Sequence, residues 1–413
     1  MTSCDVPHGA RPARTWAAVA LLCLGFTIAY IDRTNLSVAL ASPEFRAAFS
    51  LTDTQRGLLH SAFFWSYALL QIPAGYVTDR WGVRWPYAIG FTIWSVFSAL
   101  TAFATGMWQI FACRLLLGVG EAIVTPASIR WIALNVPEKN RGLAVAILFA
   151  GAKFGPAIGA DLSVRLLQAF GWKGMFLVLG LASLVFLIPW FMLIREDEAR
   201  ATGGQRSAPP APIWNAPAIY GILAGTVAYN YFNYFNLTWL PSYFVERWGL
   251  PLKQMGFYTA FSFLGMAAAA IAAGAAADRL IARGADAIFV RKAFTMGGLG
   301  IACLEVFGTV APSRGSATAI AMISMAGLGL TTANYWALTQ ALMPGAAIGR
   351  VSGIQNCAAN LAGVAAPAIT GFLVARTGSY EAPMYAIFAT LLTGIAAYAF
   401  AVRPEYAPRR RHG

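Results

Sequence analysis

Charged side chains are scarce here: Asp, Glu, Lys and Arg make up 11% of the 413 residues, while 58% are hydrophobic and mean hydropathy is +0.60. Soluble domains carry roughly 25% charged residues. The shortage excludes a water-covered globule and indicates an all-α membrane protein with little mass outside the bilayer. Histidine is rarer still, with three residues. His8 and His412 lie in the tails, so only His60 is near an apolar segment. The five cysteines (Cys4, Cys23, Cys113, Cys303, Cys357) show no C-x-x-C spacing, and four fall in apolar runs. Neither a disulfide framework nor a metal site is expected. The chain has no phosphate-cradling G-x-x-x-x-G-K-[ST] run, no Ser/His/Asp context and no polar stretch large enough to hold a nucleotide. No enzyme and no cofactor are expected.

The 30 Lys and Arg outnumber the 17 Asp and Glu, for a formal charge of +13. They are spread along short loops, so they reflect topology rather than a nucleic-acid surface. The short basic start leads into about 25 apolar residues, longer than the core of a cleavable signal, and reads as a retained first helix. A membrane-crossing helix needs about 20 apolar residues. Cutting at charged and Pro/Gly-rich breaks predicts twelve transmembrane helices over 15–40, 55–77, 86–105, 108–131, 140–168, 174–194, 214–238, 253–276, 291–311, 316–342, 350–374 and 381–402. The longest polar break, R-E-D-E-A-R-A-T-G-G-Q-R-S-A-P-P-A-P, starts at Arg195. It predicts a six-helix bundle over 1–194, a cytoplasmic linker over 195–213 and a second six-helix bundle over 214–413. With the N-terminus inside and span-edge residues counted with the side they adjoin, 18 Lys and Arg fall on the cytoplasmic side and 8 outside, and four (Arg33, Arg114, Arg130, Lys153) lie within spans. That asymmetry places both termini in the cytoplasm. The Ala-rich, Lys-poor composition suggests a bacterial inner membrane.

A few charges fall at membrane depth. Asp32 and Arg33 are adjacent in the first span, and Arg114, Glu121, Arg130, Lys153 and Asp161 follow in later ones. A charge in hydrocarbon is costly and marks a functional position by default. Both signs at that depth indicate movement of something charged. Arg114 and Glu121, seven residues apart, project from one face of the fourth span. The two acids and two arginines are expected to neutralise one another when nothing is bound. Arg33, with its planar fork of donors, is the candidate for a carboxylate, with Arg114 sharing that task or holding Glu121. A buried carboxylate exchanges its proton when a neighbouring cation is taken away, so Asp32 and Glu121 suit proton coupling. The plainer reading of each is a structural ion pair.

The loop G-Y-V-T-D-R-W-G-V-R (75–84) has the spacing G-x-x-x-D-R-x-G-x-R. Gly75 is expected at a close helix approach. Asp79 is expected at a helix N-terminus or beside a base, with Arg80, Gly82 and Arg84 at the cytoplasmic rim. A weaker copy, G-A-A-A-D-R-L-I-A-R, stands at 274–283, and P-A-I recurs at 156–158 and 367–369. Repeats in corresponding spans are a transporter feature. In the second half, Trp336, the i,i+4 pair Asn356 and Asn360, and Asn230 in an aromatic, Asn-rich seventh span are candidate contacts to a hydroxylated solute. Each has inter-helix hydrogen bonding or packing as its plainer reading. Tyr67 is a candidate hydroxyl donor. Lys153 is either a second carboxylate partner or a counter-charge to an acid such as Asp161. Glu305 is read as lying near the membrane edge and His60 as a hydrated helix-start residue.

These runs resemble the major facilitator superfamily and, more narrowly, its anion:cation symporter family of sugar-acid and organic-acid permeases. The carriers are Y-I-D-R-T-N-L-S-V-A (30–39), the 75–84 loop, R-L-L-L-G-V-G-E-A-I-V-T-P-A (114–127) and R-G-L-A-V-A-I-L-F-A-G-A-K-F-G-P-A-I-G (141–159). T-W-L-P-S-Y (238–243), W-A-L (336–338) and N-C-A-A-N-L-A-G (356–363) match as well. The resemblance implies a major facilitator fold of two pseudo-symmetric six-helix bundles, and proton-coupled symport of a small organic anion by alternating access. It also implies that Arg33 is the substrate arginine, that Asp32 and Glu121 are proton sites, and that the Asp79, Arg80 and Arg84 cluster gates. The expected partners are the anion, protons and the lipid bilayer, with a functional monomer. Exchange or uniport of the anion, and a transporter-like sensor, remain as alternatives. Sugar acid, dicarboxylate and aromatic acid all stay open, with the asparagines favouring a hydroxylated acid.

Overall fold

The structure, a computed structural model, describes residues 12–195, 214, 216–343 and 345–406. The tails and almost all of the 195–213 linker lie outside the described residues. Among those described there is no strand. The α-helices are α1 (Pro12–Ala41), α2 (Pro43–Phe49), α3 (Asp53–Trp81), α4 (Arg84–Leu100), α5 (Met107–Glu121), α6 (Val124–Asn135), α7 (Glu138–Ser183) and α8 (Leu187–Leu193). After the linker come α9 (Pro217–Thr238), α10 (Leu240–Glu246), α11 (Leu252–Ala282), α12 (Ala287–Ala302), α13 (Arg314–Leu342), α14 (Gly345–Thr377) and α15 (Glu381–Phe400).

Among the described residues, nine helical stretches are long and apolar enough to cross a membrane, and one, Asn140–Leu193, has the length for two crossings. It breaks at Gly171, whose φ of 67° suits a residue without Cβ. The helices α3 and α9–α10 have crossing length but a more polar composition. Among the described residues, each of the twelve stretches the sequence predicts is largely helical. Most overrun the predicted bounds by a few residues at the helix ends, where hydropathy falls before the backbone hydrogen bonds do. Leu69, Ile72, Met192, Ile271 and Val310 are largely exposed. Such faces belong in hydrocarbon, where only backbones with internally satisfied hydrogen bonds survive.

The chain divides into two compact units, with boundaries at 39/40, 61/62 and 203/204, so residues 40–61 group with the second half. In the first unit, α7 lies against α1 through Gly151, Gly155 and Gly159. A Cβ at Gly155 would collide with Tyr30 and stand 2.7 Å from the Thr27 carbonyl oxygen. Small residues at this spacing let two helix backbones touch. Gly155→Val is therefore expected to cost roughly 1–3 kcal/mol by overpacking, read as a lower unfolding temperature of the detergent-solubilised protein. In the second unit, α11, α12 and α13 pack closely, with α9 against α14 and α15.

Candidate functional site

In the first unit the charged residues of α1 and α5 meet. Asp32 and Arg33 leave α1 about 100° apart, and each finds a different partner. Arg33 donates from Nε and Nη2 to Glu121 Oε2, at 2.8 and 2.7 Å, and both side chains are buried (6% and 0% exposed). Its guanidinium is stacked among the rings of Tyr30, Phe63 and Tyr67, 4.4, 4.5 and 4.7 Å from their centroids. Three aromatic faces replace part of the water the cation has lost. The Tyr67 hydroxyl lies 3.4 Å from Thr125 Oγ1.

Asp32 is 1% exposed. Its Oδ1 accepts from Ser98 Oγ at 2.7 Å and from Asn35 Nδ2 at 3.1 Å. Arg114 donates to the Asp32 main-chain oxygen at 3.1 Å and to Asn35 Oδ1 at 3.2 Å. Arg114 thus braces the backbone beneath Asp32, and it is Arg33 that holds Glu121. Seven helical residues separate Arg114 from Glu121 by about 10 Å along α5, too far for a direct pair. Among the described residues, Asp32 Oδ2, Glu121 Oε1 and Arg114 Nε have no hydrogen-bond partner. The two carboxylate oxygens are positions for a proton or a water, and the Arg114 N–H is a position for a water or a solute oxygen. Just beyond Glu121 the helix opens into a turn at Ala122–Ile123 before α6. Pro126 explains the break, because its ring excludes the carbonyl four residues earlier.

At the other end of α3, Asp79 pairs with Arg130 of α6, while Arg80 is exposed. Arg84 donates to the Phe191 carbonyl at 3.1 Å, and Gly82 has a φ of 81°. Gly75 corrects its expectation, since nothing lies within 4 Å of where its Cβ would be. Asp161 pairs with Arg165 at 2.6 Å, one turn along the same helix. Lys153 is partly buried on α7, between Gly151 and Gly155.

In the second unit, Asn230 donates to the Thr226 carbonyl at 2.8 Å and Asn360 to the Asn356 carbonyl at 3.0 Å. Each thus spends a donor on its own helix. Trp336 is partly buried beside Tyr335, at 5.4 Å between rings. The sequence reading missed the residues that link these helices. Gln355 Nε2 donates to Thr226 Oγ1 at 2.9 Å, the hydroxyls of Tyr229 and Thr332 are 2.8 Å apart, and Tyr229 stacks on Tyr335 at 4.7 Å. The groups that link these helices are amides, hydroxyls and rings. Glu305 is 2% exposed, in the last turns of the Ala287–Val310 stretch. His60 is 5% exposed, with its ring 6.2 Å from that of Trp239, so it is buried rather than hydrated.

A sequence model of the Major Facilitator Superfamily matches residues 22–367. Among similar proteins, the probable L-galactonate transporter of Escherichia coli (strain K12) is 30% identical, over 95% of this chain and 90% of its own. The hexuronate transporter of Bacillus subtilis (strain 168) is 29% identical, over 90% of this chain and 92% of its own. A solved bacterial homologue of the human lysosomal transporter Spinster, inward-facing and unoccupied, superposes with a TM-score of 0.81 over 98% of this chain and 100% of that one. At 18% identity, that likeness speaks for the fold alone.

Proposed function

We propose a transport function for this chain, which belongs to the Major Facilitator Superfamily: it carries a small organic anion of the sugar-acid class across the membrane by alternating access, in symport with protons. The similar hexuronate and galactonate transporters support the anion class. The observation that carries the coupling is the buried pair of Arg33 and Glu121 inside its aromatic cage. When a substrate carboxylate takes the Arg33 fork, Glu121 loses its cation in a medium that does not tolerate a lone charge, and it takes up a proton. Substrate and proton then travel together. Release reverses the exchange.

In this reading Arg33 binds the carboxylate and Arg114 holds Asp32 and Asn35 in place. Asp32, with one oxygen unpartnered, is a second proton position. Tyr67 and Lys153 are further contacts in the first unit. Asn230, Trp336, Asn356 and Asn360 offer ring and amide contacts in the second. The Asp79–Arg130 pair, with Arg80 and Arg84, forms a gate at a cytoplasmic rim. The membrane is a bacterial inner membrane with both termini inside. The chain works as a monomer.

The test is uptake into proteoliposomes of D-glucuronate, D-galactonate, D-glucarate and benzoate, with and without an inward proton gradient. Gradient-driven accumulation of a sugar acid is expected. Uptake indifferent to the gradient but accelerated by internal anion would replace symport with exchange and leave Asp32 and Glu121 as structural charges.

A further inference from the structure

A second buried arginine lies at the opposite end of α3 from the Asp79–Arg84 loop, within the second compact unit. Arg56 is 2% exposed. Its Nη2 donates to Glu246 Oε1 at 2.6 Å and its Nη1 to Glu246 Oε2 at 3.2 Å, a two-pronged grip on one carboxylate. Nη2 also reaches Ser242 Oγ at 2.6 Å, and the guanidinium lies 4.8 Å from the Trp239 ring centroid. The Tyr380 hydroxyl donates to Glu246 Oε2 at 2.8 Å. Burial and the Glu246 carboxylate hold this loop phenol well above its ordinary pKa, so it stays a donor. An arginine fork and a phenol converge on one carboxylate, and the Ser242 oxygen steadies the fork by accepting from it; together they make a receptor for a carboxylic acid. Its occupant here is a side chain of the same chain.

Removing one member of a buried ion pair is ordinarily costly, because the other is left without a counter-charge. Both members here have a spare. Asp53 Oδ1 accepts from Arg56 Nη1 at 2.6 Å, and Arg46 Nη1 stands 2.9 Å from Glu246 Oε1. Arg56 and Glu246 can part with neither charge stranded. A pair that only braces the fold does not need that provision; an exchangeable one does. Glu246 and Arg46 are more exposed than Arg56, with side chains 18% and 29% accessible against 2%, so Glu246 has somewhere to swing.

We propose that Arg56, Ser242 and Tyr380 form a capture site for a carboxylate at the outer mouth, and that Glu246 is the resident carboxylate the arriving acid replaces. The proposal rests on the organic-anion reading above and adds a first stop for the acid, separate from Arg33.

The test places a reporter thiol at exposed position 381, beside Tyr380, by Glu381→Cys, in a chain whose five native cysteines are serines. Labelling by a membrane-impermeant anionic methanethiosulfonate is followed with increasing D-glucuronate, D-galactonate or benzoate, and with D-glucose as the uncharged control. At least one acid is expected to slow labelling, and glucose is not. Glu246→Gln should lower the half-protecting concentration by roughly tenfold, the order of close charge-pair couplings. The neutral double variant Arg56→Gln/Glu246→Gln leaves only the partly exposed Asp53 and Arg46, 33% and 29% accessible, to be covered by water, and should lose protection altogether. Protection by no acid, or protection that survives in the double variant, overturns the capture site. Labelling needs no transport, so the two readings fail separately. Uptake without Arg56-dependent protection removes this inference alone. Protection without gradient-driven uptake removes symport and leaves capture standing.

Discussion

Glu121→Gln is expected to abolish accumulation of the acid against its gradient while leaving counterflow intact. Glutamine keeps the shape of the side chain and an oxygen that accepts from Arg33, but it cannot exchange a proton. The variant leaves Arg33 charged and without its anion. The rings of Tyr30, Phe63 and Tyr67 still face it, each contributing about 0.5–2 kcal/mol as a cation–π contact. The arginine is therefore tolerated, and without a competing carboxylate it is more available to substrate. Apparent affinity in counterflow should hold or improve as the pH dependence of uptake flattens. In the unaltered protein, uptake should rise as the outside is acidified, because loading Glu121 and loading the acid favour each other and that linkage is reciprocal. Proteoliposomes with imposed pH steps measure both effects. A Glu121→Gln variant that still accumulates acid on a proton gradient would move the coupling to Asp32.

Much of the architecture was legible because a bilayer imposes it. Apolar stretches of crossing length, separated by charged breaks, locate the helices, including α3 and α9, whose polar faces blunt hydropathy. The charged residues at membrane depth were legible for the same reason. Their pairing was not. Spacing places Arg114 and Glu121 on one face of α5, but it says nothing about a partner from α1, 88 positions away along the chain. Asn35 and Ser98, which hold Asp32, are unremarkable in sequence, since small polar residues are common where membrane helices touch. Arg56 and Glu246 were passed over because charges at span ends have a topological explanation already. Gly75 shows the converse: a glycine in a strong motif suggests a close approach, and in this conformation it faces open space.

Both readings of the Arg33–Glu121 pair, a brace or an exchange point, predict harm from breaking it, so single variants alone do not separate them. Arg33→Lys keeps the charge but replaces a planar fork with a compact ammonium, and the aromatic cage was fitted to the flat cation. Transport efficiency is expected to fall by roughly 10–100-fold, about 1.4–2.8 kcal/mol, with little change in thermal stability. Arg33→Gln should do far worse. It leaves Glu121 buried at 0% exposure without its cation, a loss of about 3–5 kcal/mol when a buried pair is broken from one side. Uptake and unfolding temperature should collapse together. The neutral double variant Arg33→Gln/Glu121→Gln separates the roles. With no charge stranded, its unfolding temperature should return close to that of the unaltered protein. Its uptake and counterflow should stay lost, because the group that holds the carboxylate is gone. Thermal unfolding in detergent and counterflow in proteoliposomes read the two quantities independently. A double variant that recovered transport along with stability would make the pair a brace, and the anion would have to be held elsewhere.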